Sequence, residues 1–515
     1  MLFRSVLADG RIHAQGVASP ERVLHAAVCA AEQRVPIDRD TLVWMATMES
    51  PDWRRSQRDA FVRLLRVGAD AVPVIETLDH VGALVRLLPE WEHVRSLPQR
   101  NAYHRFTVDR HLLEAVAQCA ALLDEGARRG PDVSLEAVVA RALRRPDLLL
   151  FAALLHDIGK GLPGDHAALG SEMARTFAHR LHLDSEGIEI LGWLVRDHLS
   201  MAEVATRRDL SEPATIERFC VPLAGDGERL RLLYLLTIGD SHATGPAAWS
   251  RSKASLLRDL FVKAAAVVEN DTTDVVIERR HSELSALVGA SDAAEFLDSM
   301  PSSYALAFPA TVMAHHRELM VARDLAVGCQ VGDHGDVVVT VVAPDRTGLL
   351  ATVAGALTCS GLAVGAAALY TSRDGMALDV FTTTDTFGRF AQDGDERVRS
   401  TIGRALEGTL DVAAGVEERR RHYERAVRSP IAAETIVDLE ASPSATVVEV
   451  HAADQVGLLY RLARTFAELG LDVTFAKADT LADRVIDVFY VTEGGRKLVD
   501  PARLTELQAS LRLAV

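Results

Sequence analysis

Residues 148–161, LLLFAALLHDIGKG, predict both a buried helix and a candidate functional site at its end. An apolar run of helix length leads directly into the pair His156-Asp157. A buried helix that ends in an imidazole and a carboxylate is costly unless both groups find partners. A divalent metal ion is the natural partner, because imidazole nitrogen and carboxylate oxygen can coordinate the same ion. If only this dipeptide is considered, the alternative to a metal site is that the histidine is a structural core residue and the aspartate caps a helix.

Three more segments direct a His or an Asp toward the same core. The segment TVDRHLLEAVAQCAALLDEG predicts a helix with His111 in its first turn. His198 and Asp240 each share a predicted helix face with leucines, so both point inward. Four helices that direct such groups into one core favour a metal site over several unrelated structural residues. Mixed His and carboxylate ligation does not single out one metal.

The order of these residues resembles the HD superfamily of metal-dependent phosphohydrolases, which is named after its His-Asp pair. HDIGKG followed by DHAALG is similar to the HD subtype with an added histidine. The resemblance implies an all-α domain at residues 101–260 and a Mg or Mn cofactor. It implies that the metal ligands are His111, His156, Asp157 and Asp240, with His166 and His198 as ligands of a second ion.

The C-terminal region contains an internal repeat. VVVTVVAPDRTGLL at 337–350 matches TVVEVHAADQVGLL at 446–459, an offset of 109 residues between positions 337 and 446. MALDVF at 376–381 likewise matches RVIDVF at 484–489. Each copy reads as a strand, an Asp-x-x-Gly turn, a helix and a strand hairpin. This pattern predicts two units with the split βαβ arrangement.

The two units resemble ACT domains, which are small-molecule sensing modules that often bind amino acids. The resemblance implies α+β ferredoxin-like (βαββαβ) domains at residues 336–415 and 445–515. It places the effector at Asp345, Gly348 and Leu349 in the first unit and at Asp454, Gly457 and Leu458 in the second. A helix N-terminus offers free amides to a carboxylate at that place. The alternative is that these residues only cap helices and permit close packing.

An HD domain followed by tandem ACT domains resembles the uridylyltransferase/uridylyl-removing enzyme family of PII signalling. Two long strings carry the resemblance: LPEWEHVRSLPQRNAYHRFTVDRH at 88–111 and DSHATGPAAWSRSK at 240–253. The family implies hydrolytic removal of UMP or AMP from a tyrosine of a PII protein, with glutamine as effector in nitrogen-status signalling. Lys160, Arg207 and Arg208 are the candidates for neutralising phosphate charge, and a solvated surface charge is the alternative for each.

One departure from that family is large. The family carries an N-terminal nucleotidyltransferase domain with a Gly-Ser or Gly-Gly loop and an Asp-x-Asp metal pair, and we find neither motif here. Residues 1–100 are similar to the helical linker that follows such a domain. We therefore expect a version of the family that is truncated, naturally shortened or given with a miscalled start, and we expect no nucleotide transfer from this chain. Residues 261–335 are expected to form a helical connector in which His315-His316 is solvated and binds no metal.

Composition excludes several other classes of protein. The 515 residues carry a net charge of −16 and no basic block, which argues against nucleic-acid binding. The five cysteines are scattered without metal or redox spacing, so we expect a reducing cytoplasm. No apolar run reaches membrane-spanning length, so no membrane partner is expected.

Two other functions remain as alternatives. A (p)ppGpp hydrolase also combines HD and ACT domains, but residues 261–335 are too short for the synthetase region that usually lies between them. A catalytically silent sensor that binds PII and an amino acid is the second alternative. The presence of every metal-type residue argues against it.

Overall fold

The chain folds into two compact units. The computed structural model describes residues 6–99, 105–127, 134–245, 248–249, 251–268, 273–301, 304–322, 324–331, 336–385, 390, 394–423, 433–481 and 484–515. Parts of the two family strings, at 100–104, 246–247 and 250, lie outside these residues. The first unit comprises Met1–Ala202 and Gly225–Ser250, and the second comprises Glu203–Ala224 and Arg251–Val515. The second unit therefore includes residues 203–224, which lie in sequence between the two segments of the first unit.

The first unit opens with a hairpin and five short helices, as the helical pattern of residues 1–100 predicts. They are β1 (Val6–Ala8), β2 (Arg11–His13), α1 (Pro20–Gln33), α2 (Arg39–Met45), α3 (Arg55–Arg66), α4 (Val72–His80) and α5 (Ala83–Leu87). Pro20 begins α1 at a position where its missing N–H costs nothing. Asp38 caps α2 by accepting hydrogen bonds from the amides of Asp40 and Thr41.

The helices that follow carry the candidate metal ligands. They are α6 (Val108–Ala127), α7 (Leu135–Arg141), α8 (Pro146–Leu155), α9 (His166–Arg180), α10 (Ser185–Asp197), α11 (Ser200–Arg207), α12 (Pro213–Cys220) and α13 (Gly227–Thr244). Helix α8 is the centre, because all eight residues from Leu148 to Leu155 are fully buried. A helix that is apolar all round must be enclosed by other helices. Gly239 of α13 allows close packing on α6, since a side chain there would overlap Cys119.

Besides residues 203–224, which include α12, the second unit contains helices α14 to α23 and strands β3 to β11. Its first part is α14 (Arg251–Val268), α15 (Thr273–Val288), α16 (Ala290–Ser299), α17 (Tyr304–Ala307), α18 (Ala310–Val321) and β3 (Ala326–Val331). The first repeat is β4 (Val337–Pro344), α19 (Leu349–Ser360), β5 (Leu362–Thr371), β6 (Met376–Asp385), α20 (Gly394–Leu406) and α21 (Val412–Tyr423). The second is β7 (Glu434–Asp438), β8 (Thr446–Ala453), α22 (Leu458–Glu468), β9 (Asp472–Leu481), β10 (Arg484–Glu493), β11 (Arg496–Lys497) and α23 (Pro501–Ala514).

The two repeats form one continuous antiparallel sheet. Its strand order is β3-β4-β6-β5-β9-β10-β8-β7, with β11 paired to β10. Strands β5 and β9 join the repeats through the pairs Ala366↔Lys477, Ala367↔Ala476 and Ala368↔Phe475. One hydrophobic core serves both repeats and includes Phe381, Phe466 and Phe489. The predicted fold class, an all-α region followed by α+β domains, is confirmed.

The order of strands within each repeat differs from the predicted βαββαβ order. The edge position beside the first strand is taken by a segment that precedes the repeat: β3 pairs with β4, and β7 pairs with β8. Among the described residues, no strand follows α20 or α23 within its repeat to take that position. An antiparallel edge strand needs only one neighbour, so it can come from either direction along the chain. Residues 326–331, inside the expected helical connector, thus belong to the sheet.

The prediction that His315-His316 is solvated is wrong for His316. This side chain is fully buried, and its Nδ1 lies 2.9 Å from the hydroxyl of Tyr304. Burial lowers the pKa of His316 to about 4, so the ring is neutral and packs as part of an aromatic core. Among the helices that the structure describes, none is both long enough and apolar enough to cross a membrane.

Candidate metal centre

The predicted metal ligands meet in two groups within the first unit. The first group consists of His111, His156 and Asp240, and the second consists of Asp157, His166 and His198. Within each group the potential ligand atoms all lie within 4.8 Å of one another. The sequence-predicted set of six is therefore brought together without exception.

The first group is compact and mostly buried. His111 Nε2 lies 3.0 Å from Asp240 Oδ1 and 3.1 Å from His156 Nε2. His156 Nε2 lies 3.4 Å from the same Asp240 oxygen. Two imidazole nitrogens and one carboxylate oxygen thus converge on one point. This donor set suits a divalent transition metal such as manganese.

Asp157 connects the two groups through its two oxygens. Its Oδ2 lies 3.5 Å from His156 Nε2 and 3.7 Å from His111 Nε2. Its Oδ1 lies 3.7 Å from His198 Nε2 and 3.9 Å from His166 Nε2. One carboxylate placed between two sets of histidines would be available to an ion held by either set.

Backbone carbonyls orient two of the histidine rings. His156 Nδ1 lies 2.9 Å from the carbonyl oxygen of Ala153, and His198 Nδ1 lies 2.7 Å from that of Val195. A carbonyl can only accept, so each Nδ1 carries a proton, and Nε2 is the ring nitrogen left to bind a metal when the ring is neutral. Both residues directly follow a helix, where the last turn leaves carbonyls without an intrahelical partner.

A glycine brings the second group together. Gly159 follows the His-Asp pair, and a side chain there would overlap the backbone of His166 and Gly170. The start of α9 can therefore close directly onto the turn after α8. Asp165 caps α9 by accepting hydrogen bonds from the amides of Ala167 and Ala168. This cap makes His166 the first residue of α9.

The charges of the centre favour a bound cation. Burial alone would raise the pKa of Asp157, but the positive charges of His156 and Lys160 lower it to about 2. The pKa of Asp240 is also held well below its usual range despite burial, mainly by His156. Burial lowers the pKa of His198, and His156 lowers it further. Ionised carboxylates beside a neutral imidazole are the forms that bind metal.

Lys160, a predicted phosphate contact, lies at the centre. Its Nζ is 2.6 Å from Asp157 Oδ2 and donates to Gln99 Oε1 at 3.1 Å. His93 Nε2 donates to the carbonyl of Ile158 at 2.6 Å and so holds the turn that follows Asp157. Neither Gln99 nor His93 is among the functional residues predicted from the sequence. The only signal was that they lie within the family string at 88–111.

Arg207 and Arg208, the other predicted phosphate contacts, have their ion pairs within the second unit. Arg208 Nη1 lies 2.6 Å from Glu449 Oε1 on β8, and Arg207 Nη1 lies 4.0 Å from Glu203 Oε1. These pairs do not involve the metal ligands. A role in phosphate contact for these two arginines remains a prediction.

The first predicted effector loop opens onto a cavity, but the second loop is covered. Asp345, Gly348 and Leu349 all line a cavity of about 690 Å³ within the second unit. In the second repeat, a side chain at Gly457 would overlap Val416 of α21. The structure thus gives the two matching loops different surroundings.

Comparison with known families identifies the helical region. The HD domain family matches residues 108–236, which include five of the six proposed metal ligands and the motif HDIGKG. The chain contains an HD domain. A second family, described as ACR9-like, ACT-like domain, matches residues 434–515 and so covers the second repeat together with its edge strand β7.

The whole chain that contains this HD domain is similar to curated proteins named bifunctional uridylyltransferase/uridylyl-removing enzyme. The protein from Streptomyces coelicolor is 36% identical over 95% of this chain and 60% of its own length. The proteins from Gluconobacter oxydans and Caulobacter vibrioides are each 34% identical, over 86% and 88% of this chain and 48% and 50% of their own lengths. The family resemblance is confirmed. The chain spans about half the length of the relatives it matches.

Proposed function

We propose that this chain is a metal-dependent hydrolase that removes a nucleotidyl group from a tyrosine of a PII signalling protein. The observation that carries the proposal is the convergence of six His and Asp side chains in two groups connected by Asp157. The relatives' name, which includes uridylyl-removing enzyme, favours UMP as the group removed, with AMP as the second candidate. Glutamine is the proposed effector, acting at the ACT-like repeats.

The residues present fit two divalent ions. His111, His156 and Asp240 would hold one ion, and His166 and His198 would hold the other, with Asp157 available to both. When bound, Mg²⁺ or Mn²⁺ supplies Lewis-acid chemistry, because it lowers the pKa of water and polarises a phosphoryl oxygen. The backbone bonds of His156 and His198 keep their rings in the metal-binding tautomer.

The remaining side chains determine charge and orientation. Lys160 presents a cation beside Asp157, where it can neutralise a non-bridging phosphate oxygen. His93 and Gln99 hold this turn and this lysine in place. The leaving group is a tyrosyl phenolate with a reference pKa of about 10. Such a group departs with little acid assistance, so the proposal requires no separate general acid.

The test is release of nucleotide from modified PII by the purified chain. Uridylylated and adenylylated PII are incubated with the protein and Mn²⁺ or Mg²⁺, and released UMP or AMP is measured. We expect hydrolysis that a chelator abolishes and added metal restores. Release from neither substrate with either metal would refute the proposal.

Variants of the His-Asp pair separate metal loss from misfolding. Asp157→Asn and His156→Ala should lower the rate by more than about 100-fold, because even second-shell changes cost 10–100-fold. Bound metal should fall in parallel, as measured by elemental analysis of the dialysed protein. His25→Ala is the matched control, since His25 is exposed on α1 and lies outside the centre. Full turnover by either pair variant would contradict the assignment.

A further inference from the structure

The turn of residues 158–161, which follows the His-Asp pair, is contacted by a segment that precedes the HD domain in sequence. We call this segment, residues 90–99, the brace. His93 Nε2 lies 2.6 Å from the first carbonyl oxygen of the turn. Leu97 packs against Gly161, where an added side-chain carbon would lie only 2.7 Å from it. The brace therefore contacts both ends of the turn.

The brace is also fastened to two helices that carry predicted metal ligands. Glu90 accepts two hydrogen bonds from Arg180 of α9, at 2.6 and 2.8 Å. The amide of Ser96 donates to Asp109 Oδ2 of α6 at 2.7 Å. One predicted ligand lies in the first turn of α6, and another is the first residue of α9. These contacts give the brace a defined position relative to the metal centre.

The ammonium group of Lys160 lies between two acceptors. Its Nζ is 2.6 Å from Asp157 Oδ2 and donates to Gln99 Oε1 at 3.1 Å. A lysine ammonium carries three N–H donors and has no fixed orientation of its own. These two acceptors take two of the donors, and among the described residues no other acceptor takes the third. Gln99 and Asp157 together thus determine the direction of the third N–H.

Lys160 lies on the side of the metal centre that a substrate can reach. The side chains of Lys160, Asp240 and His166 are 25%, 21% and 36% exposed. Those of His156 and His198 are only 0% and 2% exposed. The centre is therefore open beside Lys160. A phosphodiester that enters here meets the ammonium group, whose remaining N–H suits a non-bridging phosphate oxygen.

Gln99 occupies its position at a cost in stability. An ammonium group can only donate, so the oxygen of the Gln99 amide must face Lys160 and its NH2 group must face away. Gln99 Nε2 is buried and has no hydrogen-bond partner among the described residues. A buried donor in this state costs about 1–3 kcal/mol. A side chain that served stability alone would avoid this cost, which favours a role of the amide oxygen at Lys160.

We propose that Gln99 is a positioning residue of the hydrolase site. Its amide oxygen orients the ammonium group of Lys160, so that the third N–H is directed at a non-bridging oxygen of a nucleotidyl phosphodiester. The active site thereby extends beyond the HD domain into the brace. This inference makes the proposed function more specific and rests on it for the class of substrate, a nucleotidyl ester of a phenol. It does not depend on which protein carries the phenol.

The test measures hydrolysis of two substrates by the purified full chain with Mn²⁺. One is uridylylated PII, and the other is the p-nitrophenyl ester of UMP, which offers a similar phosphodiester without a protein. Gln99→Met keeps the length of the side chain but removes the acceptor. We expect kcat to fall about 10- to 100-fold with both substrates, the range typical of a misplaced catalytic group or a lost supporting residue. KM and the amount of bound metal should stay within a few-fold of wild type.

A double-variant cycle decides whether Gln99 acts through Lys160. Lys160→Met should lower kcat at least as much as Gln99→Met. Adding Gln99→Met to Lys160→Met should lower kcat no further, because the group that Gln99 orients is then gone. Losses that multiply in the double variant would show that Gln99 acts independently and would overturn the inference. Gln33→Met is the matched control, since Gln33 is exposed on α1 and lies outside the centre.

Unfolding measurements separate positioning from a structural role. Gln99→Met loses the hydrogen bond to Lys160 but also removes a buried N–H without a partner among the described residues. The free energy of unfolding in denaturant should therefore be within about 1 kcal/mol of wild type, or above it. A loss of activity that accompanies a large loss of stability and of bound metal would assign Gln99 a structural role and overturn the inference.

The two substrates keep this inference distinct from the proposed function. Hydrolysis of the ester but not of uridylylated PII would refute the proposed function, and the cycle measured on the ester would still support or overturn the role of Gln99. Unchanged hydrolysis of both substrates by Gln99→Met would overturn the inference and leave the function. Hydrolysis of neither substrate by wild type would refute both.

Discussion

The two Asp-x-x-Gly loops have the same backbone but different surroundings. Gly348 has φ 83° and ψ 5°, and Gly457 has φ 75° and ψ 17°, and each precedes the first residue of a helix. Each loop also follows a strand of eight residues in the same place of its repeat. The repeated sequence therefore reproduces local geometry faithfully. It does not reproduce the exposure of the loop, because residues outside the repeated sequence determine what covers each loop.

Helix α21 produces the difference. It is the last helix of the first repeat, and its Val416 occupies the space in front of Gly457. A side-chain carbon at Gly348 would meet only Ala467, at an ordinary contact distance of 3.7 Å. The same substitution should thus have different consequences in the two loops.

The largest expected effect is on stability at the covered loop. Gly457→Ala should cost about 1 kcal/mol for the positive φ and about 1–3 kcal/mol for overpacking against Val416. Denaturant unfolding measures the loss. Val416→Ala in the same chain should recover part of it, which would appear as a coupling energy between the two sites. Strictly additive effects would show that Val416 does not close this loop.

The free energy of unfolding should depend on pH through Asp379, which lies in the repeat with the open loop. Because burial raises its pKa in the folded chain, the folded state holds a proton that the unfolded state has released. The stabilisation of the folded state by this proton is fully present below the ordinary aspartate pKa. It is lost as the pH rises toward the raised pKa of the folded state. Relative to Asp379→Asn, wild type should lose about 1.4 kcal/mol of stability per pH unit in that window. Parallel pH profiles for the two proteins would contradict an unpaired buried carboxyl group.

The smallest expected effect is at the open loop. Gly348→Ala should cost only about 1 kcal/mol, since the positive φ is the main penalty and no neighbouring atom is overlapped. The difference between this variant and Gly457→Ala, measured under identical denaturant conditions, quantifies how strongly α21 closes the second loop. Equal losses at the two glycines would remove the proposed asymmetry.

Some of the candidate metal ligands could be predicted from sequence because helical periodicity directs them inward. His198 and Asp240 share helix faces with buried leucines, and the structure places both in the centre. The supporting residues His93 and Gln99 could not be found this way. Each lies in an irregular segment, where no periodic pattern indicates direction, and each contacts residues about sixty positions later.

The sequence by itself determined the helical HD region, its six candidate ligands, and the two copies of the strand–turn–helix unit. Each of these follows from local spacing: periodicity, the His-Asp pair and the repeated glycine. Only the tertiary structure decided which strand closes each edge of the sheet, that His316 is buried, that Asp379 lines a cavity, and that Val416 covers one loop and not the other. These features depend on contacts between segments distant in sequence. Local patterns determine the conformation of a segment, but packing determines what the segment can reach.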